Sequence, residues 1–160
     1  MLATGCGDTG FRPLYATSPI AGGPNVSEKL ARMEVAPVPG RVGQRLRNEL
    51  IYQATGTGNA AIEPIYRLEI VVRESISAVL VQIDGNSSGS VYNLNASFRL
   101  VRLDDKSIAL QGESYGRGAF QRFDSVFSNV RARKEAEDRA AETVAEDLKS
   151  RLAAFLSGNA

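Results

Sequence analysis

At 160 residues, with 43% hydrophobic and 23% charged residues, the chain has the length and balance of one ordinary globular domain. A net charge of +1 gives no global field for a polyanion, so no nucleic acid is expected among its partners. With no histidine and a single cysteine, it cannot build a Ser-His-Asp or Cys-His nucleophile, a usual zinc site or an intrachain disulfide, so neither cofactor nor metal is expected. No apolar run approaches the roughly 18 residues a spanning helix requires.

The single cysteine stands in Met1-Leu2-Ala3-Thr4-Gly5-Cys6-Gly7. Small residues on either side of it and a short apolar lead-in resemble the end of a bacterial lipoprotein signal peptide, the lipobox, with Cys6 as the acylated residue. The charged start and apolar centre of a signal peptide are missing, so Met1 reads as a start inside the signal sequence and the chain as given is expected to be unlipidated. Each buried acyl methylene contributes roughly 0.8 kcal/mol, so several chains on one residue anchor a protein stably.

Residues 1–28 read as lipobox remnant and tether, rich in turn-formers (Pro13, Pro19, Pro24, Gly22, Gly23), with a short apolar segment at Phe11, Leu14 and Tyr15 able to dock on the body. Residues 29–160 read as a single α+β domain. Ala31, Met33 and Val35 alternate with Arg32 and Glu34 as a half-buried strand, closed by Pro37 and Pro39. From Gly40 to Ala54 the spacing turns helical, with Val42, Leu46 and Leu50 on one face, and the glycines around Thr57 stop it.

Four strand-like runs follow. Tyr66, Leu68, Ile70 and Val72 alternate with charge; Ile76 to Ile83 is rich in β-branched residues; Asp84 to Gly89 has hairpin-loop composition. Tyr92, Leu94, Ala96, Phe98 and Leu100 form an amphipathic strand, and after a turn at Asp104-Asp105-Lys106 a last strand starts at Ile108 and decays through Gly112, Gly116 and Gly118. Val126 to Leu156 is helical. Its second half has a stripe at Ala141, Val144, Leu148, Leu152 and Phe155, whereas Arg131 to Arg139 is almost all charge and is expected to project into solvent or lie on a polar partner. The order argues for a mostly antiparallel four- to five-stranded sheet with two helices packed on one face.

Chemistry-bearing patterns are few. Gly56-Thr57-Gly58 and Gly116-Arg117-Gly118 lack phosphate-loop context. Glu69, Glu74, Asp84, Asp104, Asp105 and Glu113 stand at outward strand positions or in turns, where solubility explains them, so no enzyme is expected. Arg67, Arg73 and Arg99 share the wet faces of their strands and form a candidate phosphate-binding patch, because arginine's fork matches phosphate geometry. Arg131, Arg133, Lys134 and Arg139 are candidate contacts to a charged partner.

Cys6-Gly7 followed by Phe11-Arg12-Pro13-Leu14-Tyr15, the segment Gly43-Gln44-Arg45-Leu46-Arg47-Asn48-Glu49-Leu50 and the long charged terminal helix together resemble the LptE family of lipopolysaccharide-assembly lipoproteins in its alphaproteobacterial form. The family's C-G-F-x-P-L-Y start is matched with Asp8-Thr9-Gly10 inserted. The resemblance implies a non-catalytic, periplasm-facing lipoprotein of the outer membrane, anchored through Cys6. Such a protein plugs the LptD β-barrel, assists its folding and helps deliver lipopolysaccharide to the outer leaflet. A rival expectation is an auxiliary lipoprotein of an ABC-type transporter, acting as a periplasmic adaptor.

Overall fold

The computed structural model describes residues 26–56, 58, 61, 63–81, 87–123 and 125–158, giving only the backbone of 79–81, 87 and 88. Cys6, the rest of the lipobox and the Phe11–Tyr15 segment lie outside the described residues. Three helices, α1 (Val26–Ala31), α2 (Arg41–Thr55) and α3 (Val126–Gly158), accompany four strands, β1 (Met33–Val35), β2 (Tyr66–Val81), β3 (Ser87–Arg102) and β4 (Ile108–Gln121).

The strands form one sheet in the order β1-β2-β3-β4, with β1 parallel to β2 and the other two pairings antiparallel. The fold is therefore α+β with a mixed sheet. The parallel pair follows from α2, which crosses from the end of β1 back to the start of β2. Two expectations change. Residues 66–73 and 76–83, read as separate strands, are joined in the single strand β2 as far as Val81. Val26–Ala31, read as the end of a tether and the start of a strand, is one and a half turns of helix that buries Leu30.

The core lies between the sheet's inner face and the helices. Leu68 and Ile70 of β2 and Tyr92, Leu94, Ala96, Phe98 and Leu100 of β3 meet Val42, Leu46 and Leu50 of α2 and Val144, Leu148, Leu152 and Leu156 of α3. Helix α2 starts after Gly40, whose φ of 81° only glycine adopts freely, and ends at Gly56 in the left-handed conformation, its N–H bonded to the Tyr52 carbonyl at 2.8 Å.

Strand β4 does not decay. Its inward positions are small, Gly112, Ser114, Gly116 and Gly118: the α3 backbone sits directly on Gly116 and Gly118, the Phe98 ring covers Gly112, and Ser114 donates its hydroxyl to the Asp147 carboxylate at 2.6 Å. A Cβ on Gly116 would stand 2.1 Å from the Ala140 carbonyl oxygen, and one on Gly118 2.2 Å from that of Ala136. The charged stretch of α3 is thus docked from Ala136 onward, contrary to the expectation that it projects as a whole; Ala136, Glu137 and Ala140 are buried.

Candidate functional site

Among the described residues the sheet's outer face carries no helix, and strand alternation places there one polar row after another. The register aligns Glu69 with Arg99 and Gln111, Val71 with Ser97 and Glu113, Arg73 with Asn95 and Tyr115, and Ser75 with Asn93 and Arg117. All three predicted arginines of the patch lie on this face, but they are not equivalent. Arg99 donates from Nη2 to the Glu69 carboxylate at 2.7 Å, so its charge is matched across the strand pair. Arg67 stands opposite Val101, near the β1 end of the sheet. Arg73 lies six residues further along β2, roughly 20 Å away at about 3.3 Å per residue.

A different neighbour joins Arg73. Arg117 of β4 faces the same side, and with Asn93, Asn95 and Tyr115 the two arginines line a shallow depression of about 270 Å³. Neither arginine has an ion-pair partner among the described residues. The Asn95 side-chain oxygen is buried in the floor, without a hydrogen-bond partner among the described residues. At the rim Tyr115 donates its hydroxyl proton to the Glu113 carboxylate, which raises the phenol's pKa. Next along the face a wider trough of about 510 Å³ runs between Glu69, Val71, Ser97, Arg99 and Glu113.

Arg117 escaped the sequence reading because Gly116 and Gly118 made its strand look weak. The available signal was parity: Glu113, Tyr115 and Arg117 alternate with small residues, the pattern of a strand with a helix pressed on one face and water on the other.

The candidate partner-contact residues sit on the first half of α3. Arg131 pairs with Glu135 at 3.4 Å and Arg133 with Glu137 at 2.8 Å. Arg139 donates to the Ala119 carbonyl at 2.8 Å, fastening the helix to β4. Arg41 reaches across from α2 to Glu137 and, at 2.8 Å, to Asp138. Lys134 has no salt bridge among the described residues. The helix start carries an apolar stripe that sequence reading missed: Phe123, Val126, Phe127 and Val130, with Val126 and Phe127 over 75% exposed. Asn129 locks this stripe, taking the Phe123 N–H at 2.6 Å and donating to its carbonyl at 2.7 Å.

Among the described residues there is no group of three or more metal-ligating side chains, and no helix is long and apolar enough to cross a membrane. What the face presents is a polar sheet surface with two guanidiniums unmatched among the described residues, beside carboxamides.

The same fold recurs in solved structures. A lipoprotein from Caulobacter crescentus superposes with a TM-score of 0.69 at 20% identity, over 84% of this chain and 97% of that one. Lipoprotein B from Nitrosomonas europaea gives 0.57 at 14% identity, over 78% and 83%. A minor lipoprotein from Acinetobacter baumannii gives 0.56 at 10% identity, over 78% and 92%. At these identities the likeness concerns the fold alone. No curated protein matches the chain. The lipopolysaccharide-assembly family LptE matches residues 30–152, which span everything from the buried end of α1 to the last core turns of α3. The chain belongs to the LptE family.

Proposed function

We propose that this protein is a lipid-anchored, non-catalytic component of lipopolysaccharide assembly, tethered through acylated Cys6 to the periplasmic leaflet of the outer membrane. There it occupies the lumen of the LptD β-barrel, assists its folding and passes lipopolysaccharide toward the outer leaflet. Family membership sets the process. The observation that carries the local role is the bare outer sheet face with Arg73 and Arg117 unmatched beside Asn93 and Asn95.

A barrel lumen is polar, and an occupant needs a hydrophilic exterior that is satisfied on both sides. The outer face offers polar rows, interrupted by the exposed Val71 and Tyr115. Lipid A phosphates are doubly ionised near neutral pH or close to it, and guanidinium forks bind such groups bidentately. The phosphate-binding set is Arg67, Arg73 and Arg99, extended by Arg117. Within it the unpaired Arg73 and Arg117 carry more than Arg99, which must first leave Glu69. Arg131, Arg133, Lys134 and Arg139, with the apolar stripe preceding them, form the side presented to the barrel.

Pull-down of the purified chain on immobilised lipopolysaccharide tests the ligand role. Arg73→Glu with Arg117→Glu lowers retention about tenfold or more, since two charge-assisted contacts at roughly 1 kcal/mol or above are lost. Arg99→Glu lowers it less. Retention unchanged in the double variant, with the fold intact by circular dichroism, removes the face from the mechanism. Co-purification of the acylated full-length precursor with a tagged LptD barrel tests the partner.

A further inference from the structure

The turn from β4 into α3 ends in the least covered apolar side chains of the domain. Val126 and Phe127 are the two most exposed large hydrophobic residues among those described, and Phe123 and Val130, each about half exposed, extend them into a stripe. The stripe is held out by design of the helix start. Asn129 clasps the Phe123 backbone with two side-chain bonds and donates its own N–H to the Ser125 carbonyl at 3.1 Å, while Ser125 Oγ accepts from Ser128 N–H at 3.4 Å.

The charge around this tip has one sign. Residues 122–134 hold Arg122, Arg131, Arg133 and Lys134 against Asp124 alone, a net +3 within a chain of net +1. Arg131 follows Phe127 by four residues and Lys134 follows Val130 by four, so both stand beside the stripe on the helix surface, and Arg122 precedes Phe123. Arg131 meets the exposed Glu135 at 3.4 Å and Arg133 is taken by Glu137. Arg122 and Lys134 have no salt bridge among the described residues. The positive end of the α3 dipole lies at the same place, with no acidic residue in the first turn.

We propose that this tip is a lipid-docking surface: Phe123, Val126, Phe127 and Val130 enter the interfacial layer of a bilayer, and Arg122, Arg131 and Lys134 rest on its anionic headgroups.

Charge and size select this occupant. A second copy seated on the stripe about a two-fold axis brings the same cations to the same rim, like against like. A folded protein partner uses roughly 20–30 residues on each side, where the tip offers four apolar ones. A bilayer sets no such minimum. An apolar flank sinks about 5–10 Å past the headgroups, and each cation near an anionic surface contributes by itself.

The position of the tip agrees. Helix α1, which follows the tether, is fastened to the other end of α3 by Lys29 Nζ donating to the Leu156 carbonyl at 3.2 Å. Val126 and Leu156 stand about 45 Å apart along the helix. The stretch from Cys6 to Val26 spans at most roughly 66 Å, so an acylated Cys6 and the tip can meet one leaflet. Once the acyl chains hold the protein there, docking of the tip is intramolecular and a weak contact suffices. The inference rests on the proposed outer-membrane anchoring for the leaflet. It adds what covers the stripe before the barrel does.

The unacylated 160-residue chain tests the tip without the anchor. It partitions at least tenfold more onto vesicles of phosphatidylethanolamine and phosphatidylglycerol than onto phosphatidylcholine vesicles. Val126→Asp with Phe127→Asp lowers that partitioning about tenfold or more, and Lys134→Ala about fivefold, the share of one cation near an anionic surface. All three side chains are exposed, so the core is untouched. In a Phe127→Trp chain the emission shifts to the blue on the anionic vesicles. Arg73→Glu with Arg117→Glu changes partitioning by less than twofold, so retention on lipopolysaccharide and docking of the tip fail separately. No partitioning onto the anionic vesicles, or partitioning without the blue shift, overturns the inference. A stripe variant that is monomeric where the unaltered chain is dimeric overturns it in favour of another copy. Unchanged vesicle partitioning in the Val126→Asp, Phe127→Asp variant, with co-purification of the barrel lost, overturns it in favour of a protein contact.

Discussion

Helix α3 is held to the sheet by two seams of opposite construction. From Val144 to Leu156 it is a conventional seam, in which Val144, Leu148, Leu152 and Leu156 fill space among the leucines of α2 and β3. From Ala136 to Ala140 it is made by leaving side chains out: Gly116 and Gly118 let the α3 carbonyls come to the β4 backbone, where one added carbon atom has nowhere to go. The first seam draws its stability from buried apolar area and tolerates shape changes that conserve volume. The second draws it from close contact, which only the absence of a Cβ permits. The contrast explains how a stretch of helix that reads as charged can be firmly docked.

The largest effects separate the two seams. Gly116→Val is expected to cost about 3 kcal/mol or more, because the obstacle is backbone and not a side chain that can swing aside. Leu148→Met, which changes shape and keeps volume, costs under about 1.5 kcal/mol. Urea midpoints with unchanged slopes give both numbers. A Gly116→Val chain that unfolds within about 1 kcal/mol of the unaltered protein shows that the upper seam is loose.

A smaller effect concerns the charges around the upper seam. Glu137 has an 8% exposed side chain and accepts hydrogen bonds from Arg41 and, at 2.8 Å, Arg133, joining α2 to α3. Glu137→Ala removes the shared acceptor and is expected to cost about 1.5–3 kcal/mol, the range for hydrogen bonds to charged groups. Arg131 and Glu135, one turn earlier, are 73% and 59% exposed, and Arg131→Ala should stay within about 0.5 kcal/mol. Equal losses in the two variants would mean that the docked and projecting parts of α3 do not differ.

The same contrast sets how much of the molecule was legible. Elements whose faces differ in polarity stood out: β3 through Tyr92 to Leu100, α2 through Val42, Leu46 and Leu50, and the second half of α3. Elements held by other means did not. The Gly112–Gly118 face carries no apolar signal because its residues are glycine and serine, and at Gly116 and Gly118 the contact is made by backbone. Strand β2 looked like two strands because Glu74 to Ala78 are exposed on both faces, beyond the helix layer, and only the pairing with β3 carries the strand on. Helix α1, six residues behind Pro24, is too short for its periodicity to show. Of the candidate face, the two strands rich in apolar residues gave up Arg67, Arg73 and Arg99. Arg117 was hidden between glycines, and the neutralisation of Arg99 by Glu69 depends on a register that no spacing within either strand reveals.

The smallest effect lies where the core ends below the upper seam. Tyr92 is fully buried opposite Gly118, yet among the described residues its hydroxyl has no hydrogen-bond partner of good geometry, and only the Glu74 carboxylate acts on it. Burial first, and after it the carboxylate of Glu74, push its pKa above that of a free phenol. The folded chain thus keeps this proton at a pH where the unfolded chain has lost it. Below about pH 10, the ordinary tyrosine value, both states are protonated and the group contributes no pH dependence. Above it the unfolded state binds fewer protons, so stability falls as pH rises, by at most about 1.4 kcal/mol per pH unit from this residue. Tyr92→Phe removes that alkaline loss, and near neutrality it leaves stability unchanged or raises it by about 1 kcal/mol, because an unsatisfied polar group leaves the interior. Thermal unfolding of both chains at pH 7 and pH 11 tests this. A phenylalanine variant that loses stability at pH 7 shows that the hydroxyl has a partner in solution after all, and that the core is closed by a hydrogen bond at this end as it is by leucines at the other.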